Sequence, residues 1–265
     1  MLDGSGFQNF ERLRQSVSGD VFDDSFNRGR YATDASIYQM LPHAVVIPKT
    51  YDDITACLAF ARDTGTALLP RGGGTSQCGQ TVNHAIVLDT TKHLNNIIEL
   101  DVKNQQCVVE PGIVLDELNR HLKPHGLWFP VDVSTSNRAT IGGMTANNSC
   151  GGRSIRYGIM RDNVLAIDAW LADGSLATFG KFDPDAALPN GRLGEILPDL
   201  LALGRANRAE ITAKFPKVLR RVGGYNIDAL VPDAMSLRPG GRTGDGMNLA
   251  HLLVGSEGTL AISKT

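Results

Sequence analysis

The sequence is poor in the features that mark several large functional classes. Its four cysteines, Cys57, Cys78, Cys107 and Cys150, include no C-x-x-C pair. That excludes a zinc knuckle or a disulfide framework and fits a reducing, cytoplasmic compartment. Most are expected to be small buried residues. No apolar run approaches the roughly 18 residues of a membrane span, and the opening MLDGSGFQNFERLRQ lacks the apolar heart of a signal peptide. Charge of either sign is not in excess. The 26 Lys and Arg against 28 Asp and Glu leave −2, which gives no electrostatic case for nucleic acid or an anionic membrane. There is no G-x-S-x-G elbow for a nucleophilic serine. His121 and His125 are four apart, but Pro124 breaks the helix face between them, so no metal site is expected. The pairs Asp23–Asp24 and Asp52–Asp53 read as solvated helix starts.

What the sequence has in excess is glycine. It supplies 29 of 265 residues, about 11% against a usual ~7%, and it is concentrated in a few loops. Residues 70–80, PRGGGTSQCGQ, follow an apolar stretch, TALLP. The stretch is neither a Walker A loop, which needs Gly-Lys-Ser/Thr, nor a G-x-G-x-x-G fingerprint. Consecutive small residues can nonetheless turn their N–H groups toward one point and form an anion nest, with Thr75 and Ser76 adding hydroxyls. A plain turn between strands is the competing reading, but it needs only one glycine. Residues 140–158, TIGGMTANNSCGGRSIRYG, hold two Gly-Gly pairs, an Asn-Asn pair and several hydroxyls without periodicity. A loop of that length is usually functional or disordered, and Ile141, Met144, Ile155 and Tyr157 argue against disorder. An ordered loop covering a sheet is the alternative. VGSEGTLAI, residues 254–262, reads equally as a site turn or an ordinary β-turn.

The chain around these stretches organises as follows. Residues 1–42 read as a polar helical lead-in. Residues 43–95 read as strand, helix, strand, glycine loop, strand: a small α/β lobe. Its helix, over YDDITACLAFARDTG, has Ile54, Leu58 and Ala61 at helical spacing, acidic residues in the first turn and Gly65 as C-cap. Residues 96–265 read as a larger α+β lobe. It carries a hairpin turning at Lys103–Asn104, a helix with Val114, Leu115, Leu118 and Leu122 on one face, and a hairpin around Asp173–Gly174. A helix follows around LGEILPDLLALGRANRAEITAKF, and a late strand and turn at HLLVGSEGTLAI.

Six stretches, taken in order, resemble the FAD-binding domain of the vanillyl-alcohol oxidase / p-cresol methylhydroxylase superfamily, especially FAD-linked D-lactate and D-2-hydroxyglutarate dehydrogenases. They are RYATDASIY, PRGGGTS, VVEPG, FPVDVSTSNRATIGGMTANNSCGGRSIRYG, WLADG and VGSEGTLAI. The second loop and VGGYNIDAL resemble most the large bacterial enzymes that carry further iron–sulfur segments. The resemblance implies an α+β, two-lobed fold with a small α/β lobe and a larger antiparallel-sheet lobe. It implies that Arg71, Gly72, Gly73, Gly74, Thr75 and Ser76 wrap the FAD pyrophosphate. Pro130 and Asp132 would sit near the flavin end. Thr140, Ile141, Gly142 and Gly143 would line the flavin or pyrophosphate, with Asn147, Ser149, Gly151 and Gly152 continuing that wall. Glu257, Gly258 and Ile262 would close on the adenine side. Relatives that attach FAD covalently do so through a histidine where this chain has Thr75, so FAD is expected to be non-covalent.

The implied reaction is oxidation of a D-2-hydroxy acid, with hydride passing to flavin N5 while a base takes the hydroxyl proton. The implied substrate domain would follow residue 265; it is expected to be absent here, and with it the catalytic base, leaving an apolar face that favours self-association. Arg138, Arg153 and Arg156 are candidates to stabilise reduced flavin, or else surface arginines. Two alternatives stay open. One is an NADPH-dependent reductase similar to UDP-N-acetylenolpyruvylglucosamine reductase. The other is an FAD-binding or electron-transfer module without catalysis of its own. The longer protein is expected to be cytoplasmic, with a peripheral place at the inner membrane as the alternative, passing electrons to an acceptor the sequence does not name.

Overall fold

Two kinds of sheet meet in this chain, and the candidate site lies where they face each other. The computed structural model describes residues 10–231 and 246–265. The first part runs α1 (Glu11–Ser16), β1 (Asp20–Phe22), α2 (Ser25–Arg30), β2 (Ala44–Ile47), α3 (Tyr51–Thr64), β3 (Leu68–Arg71) and β4 (Ile86–Asp89). These strands form one sheet in the order β1-β2-β4-β3, with β1 antiparallel to β2 and the other pairs parallel. β4 is buried at every position, as a central strand covered on both faces should be.

Local chemistry sets the helix ends. Thr50 caps α3, with its hydroxyl accepting from the Asp53 N–H. Gly65 closes the helix at φ 68°, a left-handed conformation that costs glycine nothing. Asp53 departs from the expected solvated helix start. It is buried and accepts from the N–H groups of Ser18, Lys49 and Thr50 and from the Ser18 hydroxyl. Burial alone would raise its carboxyl pKa; these donors outweigh it and hold the carboxyl below the ordinary value. The lead-in also departs from an all-helical reading. Its β1 pairs with β2 as an edge strand, and Phe10 and Leu13 enter the core beneath α3.

The second part runs β5 (Ile97–Asp101), β6 (Gln106–Val109), α4 (Leu115–Leu122), α5 (Ile141–Ala146), α6 (Ser154–Tyr157), α7 (Met160–Asn163), β7 (Ile167–Trp170), β8 (Leu176–Phe179), β9 (Lys181–Phe182), α8 (Arg192–Ala206), α9 (Arg208–Lys214), β10 (Met247–Asn248), α10 (Ala250–Leu253) and β11 (Ile262–Ser263). A 3-10 turn at Ile227–Leu230 lies between α9 and β10. The strand pairs here are antiparallel: β5 with β6, β9 with β10, and β7 between β8 and β11. Leu115, Met144, Met160, Leu197 and Leu253 belong to the largest core cluster. Trp170 and Ile262, from β7 and β11, reach into the core of the parallel sheet instead and join the two parts.

Three sequence expectations change here. The aperiodic stretch after residue 127 contains three short helices, α5 to α7, too brief to leave a helical period. The single helix expected over residues 193–215 is two, interrupted at Asn207. Ala250–Leu253 are helical rather than part of a late strand. Of the cysteines only Cys57 is buried, where desolvation pushes its thiol up to about 12; Cys107 and Cys150 are half-buried and Cys78 is exposed.

Candidate functional site

The glycine loop leaves the carboxyl end of β3, and Thr90 follows the carboxyl end of β4. In open parallel sheets ligands bind at that end. Arg71 fixes the loop's origin. Its guanidinium donates to the carbonyls of Tyr31 (3.1 Å), Thr81 (3.0 Å) and Thr33 (2.8 Å) and stacks over the Tyr31 ring at 5.2 Å. Desolvation draws its pKa down, opposed by Asp34, Tyr31 and Asp89. Tyr31 donates its hydroxyl to Asp89 (2.6 Å), and Ala35 N–H donates to the Gly74 carbonyl (3.1 Å). The Arg71 side chain is thus committed to protein carbonyls, while the loop beyond it keeps its N–H groups. Among the described residues, Gly72, Gly73, Gly74 and Thr75 N–H meet no protein acceptor.

A second segment packs on the first. Thr140 caps α5, its hydroxyl accepting from Gly143 N–H (3.2 Å), and Gly142 N–H donates to the Pro111 carbonyl (2.9 Å). A Cβ on Gly73 would stand 2.9 Å from the Arg138 carbonyl carbon and closer still to its oxygen; one on Gly142 would meet the Pro111 Cβ at 2.6 Å. These glycines are bare first because one backbone lies directly against another. The third segment is the turn after α10. Gly255 N–H donates to the Thr145 carbonyl (3.0 Å) and Glu257 N–H to that of Ala146 (3.1 Å). A chain of polar side chains then joins all three segments. Gln80 Nε2 donates to Glu257 (3.0 Å), the Ser76 hydroxyl donates to Gln80 Oε1, and Asn147 Nδ2 donates to Ser76 (3.4 Å).

Between these segments is a cleft of about 210 Å³. Its walls include Arg71 to Ser76, then Thr140, Gly142, Gly143, Asn147 and Ser149, and finally Glu257, Gly258 and Ile262. Five residues expected at the site do not line it. Ile141 packs against two core clusters. Asp132 accepts from Arg153 N–H (2.9 Å) and stands over Gly151, where a Cβ would meet the Asp132 carbonyl carbon at 2.5 Å. Gly152 lies beside the same carboxylate, and Pro130 is half-buried two residues before it. Of the arginines considered, Arg153 pairs with Asp132 (3.9 Å) and stacks on Trp128 (4.9 Å), and Arg156 stacks on Tyr157 (5.4 Å). The sequence reading missed Gln80, Thr90, Pro111 and Thr135, which also line the cleft. Pro111 and Thr135 stood in quoted motifs and Gln80 ends the quoted glycine stretch, but the role of Gln80 was hidden because its partner Glu257 is 177 residues away.

The donor set fits a phosphorylated ligand. Backbone N–H groups and hydroxyls dominate, and Glu257 is the one carboxylate side chain among the lining residues. The site therefore defines a cradle for a nucleotide-type cofactor, built at the junction of a parallel and an antiparallel sheet. The chain belongs to a family described as FAD binding domain, whose profile matches residues 42–180. That span holds the glycine loop and the second segment.

Two relatives are D-2-hydroxyglutarate dehydrogenases. The one from Escherichia coli is 35% identical over 258 residues, covering 95% of this chain and 24% of its own length. The one from Pseudomonas putida is 38% identical over 259 residues, covering 94% and 25%. The chain thus spans about a quarter of the length of these two relatives. A solved alkyldihydroxyacetonephosphate synthase superposes with a TM-score of 0.61 at 18% identity, over 92% of this chain and 36% of that one. The resemblance drawn from the motifs is shown: this is an α+β FAD-binding fold of the p-cresol methylhydroxylase type, and FAD is its cofactor. No helix among the described residues is long and apolar enough to cross a membrane.

Proposed function

We propose that this chain is the FAD-binding portion of a flavin-dependent dehydrogenase that oxidises a D-2-hydroxy acid, D-2-hydroxyglutarate before D-lactate. The observation that carries it is the cleft at the β3 and β4 carboxyl ends, walled by loop N–H groups with no protein acceptor among the described residues. The names of the 35–38% identical relatives supply the substrate class. We assign residues 43–95 to the small lobe, completed by β1, Phe10 and Leu13 of the lead-in, and residues 96–265 to the larger one.

In this reading the N–H groups of Gly72 to Ser76 hold the pyrophosphate, because preorganised amides recognise an anion without a solvated counter-charge. Thr140, Gly142, Gly143, Asn147 and Ser149 form the facing wall, and Glu257, Gly258 and Ile262 close the end. Pro130, Asp132, Ile141, Gly151 and Gly152 shape that wall from behind it. Arg71 acts on the cofactor through the loop it anchors. When bound, FAD supplies the two-electron acceptor for the hydride leaving the hydroxy-acid carbon. Thr75 offers no histidine nitrogen for a flavin link, so the cofactor is held non-covalently. The chain's own task is to bind, orient and shield it; we assign no catalytic base to these residues.

The test is anaerobic reduction of the FAD-loaded full-length protein, in which this chain is joined to its substrate-binding part, by D-2-hydroxyglutarate, D-lactate or NADPH. Bleaching by a D-hydroxy acid supports the reading. Bleaching by NADPH alone would move the chain to the enolpyruvyl-sugar reductase type. Tight FAD binding with no reduction by any of them leaves a cofactor module.

A further inference from the structure

Behind the cleft wall lies a buried charged cluster that the cofactor site does not use directly. Arg161, on α7, is 4% exposed and Asp228 2%. Arg161 Nη1 donates to both Asp228 oxygens (2.9 and 2.8 Å) and to Asn226 Oδ1 (3.1 Å). Arg221 Nη2 donates to the same three acceptors at 2.8, 2.8 and 3.0 Å. Burying ions carries a desolvation cost that apolar residues of similar size would avoid. The cluster therefore calls for a role beyond filling space.

Its outward connections indicate that role. Asn226 spends its oxygen on the two guanidiniums and its Nδ2 on the Val254 carbonyl (2.7 Å). Val254 immediately precedes the Gly255–Gly258 turn that closes one end of the cleft. A second link is made by Tyr225, whose hydroxyl meets the Thr259 hydroxyl at 2.8 Å just beyond that turn. On the other side Asn148, fully buried at φ 50°, accepts from Arg161 N–H (3.0 Å) and donates to the Arg221 carbonyl (3.3 Å). Its neighbours Asn147 and Ser149 line the cleft. The cluster thus grips one residue behind each of two cleft walls.

We propose that Arg161, Arg221, Asn226 and Asp228 form a latch that positions the Gly255–Gly258 turn against α5, and so sets the width of the cofactor cleft. Its effect on FAD rests on the reading of the cleft given above; its effect on the turn does not. These are positioning residues, since none lines the cleft.

The test separates the two. Asn226→Asp keeps an acceptor for both guanidiniums and loses the donor to Val254. Hydrogen exchange of the apo protein is expected to rise in residues 254–260 and stay unchanged in α3 and the parallel sheet. FAD affinity is expected to fall about tenfold, the upper range for one hydrogen bond. In a double-mutant cycle, Glu257→Ala should cost less affinity in the Asn226→Asp background than alone, because both act through the same turn. Unchanged exchange at 254–260 overturns the latch. Raised exchange with unaltered FAD affinity confines it to the fold and overturns its role in the cleft. Failure of the wild-type protein to bind FAD overturns the cofactor reading, and the exchange result still decides the latch. Should Asn226→Asp not fold, Arg221→Lys, which keeps the charge beside Asp228 and loses the guanidinium contact to Asn226, decides in its place. Faster exchange at 254–260 supports the latch and no change overturns it.

Discussion

Gly73→Ala is the most informative single change. The added Cβ would stand 2.9 Å from the Arg138 carbonyl carbon, where ordinary contact begins at 3.4 Å, and nearer still to the oxygen. The obstacle is backbone, so no rotamer relieves it, and the two strips must part by at least 0.5 Å. Overpacking of this kind costs about 1–3 kcal/mol. A protein of this size would lose roughly 2–4 °C in Tm per kcal/mol. The larger effect should fall on the ligand. Widening the nest weakens several charge-assisted hydrogen bonds together, each worth about 1.5–3 kcal/mol. Two of them amount to a loss of at least ~100-fold in FAD affinity. The assay is calorimetric FAD titration beside thermal melting of the apo protein. A lowered Tm with unchanged FAD affinity would refute the reasoning, because the glycines would then serve only the contact with Arg138.

Other outcomes follow from the same geometry. Arg71→Lys retains the charge but cannot reach three carbonyls and stack on Tyr31 at once; it should lower stability by about 2 kcal/mol and weaken FAD binding, read by melting and titration. Thr140→Ala removes the α5 cap at about 1 kcal/mol, and chemical denaturation measures the loss. Asp53→Asn tests the buried cap by pH. The Asp53 carboxyl sits below its ordinary value, so its contribution is complete above an unfolded carboxyl pKa of about 4 and fades as pH falls through the folded value. The variant should be less stable than wild type by about 2 kcal/mol at pH 7, and the two denaturation midpoints should converge as pH falls below the folded carboxyl's lowered pKa.

Local signals made the first lobe readable. Thr50, Asp53 and Gly65 mark both ends of α3 within one short stretch, and the runs AVVI and IVLD need no distant partner to be recognised as buried strands. The hairpin at Asp173–Gly174 was equally plain, with Gly174 at φ 85°. Long-range contacts hid the rest. Nothing near Val21 announces that it pairs with Val46. α5, α6 and α7 are too short for a period to accumulate. The triple glycine pointed to a ligand, but its packing against Arg138 depends on a segment the local pattern does not reveal. Asn148 stood in a quoted Asn-Asn pair, yet only the fold turns it inward to Arg161 while Asn147 lines the cleft. The polar chain from Glu257 through Gln80 and Ser76 to Asn147 was hidden for the same reason.

The central claim is that the backbone cradle binds FAD without a covalent link. The most direct measurement is the absorbance spectrum of the protein after incubation with FAD and gel filtration, followed by acid precipitation. Flavin bands are expected to travel with the protein and then pass entirely to the supernatant, and Gly73→Ala is expected to lack them. Flavin retained in the acid pellet would contradict non-covalent binding; no flavin carried through the column at saturating FAD would contradict the cradle itself.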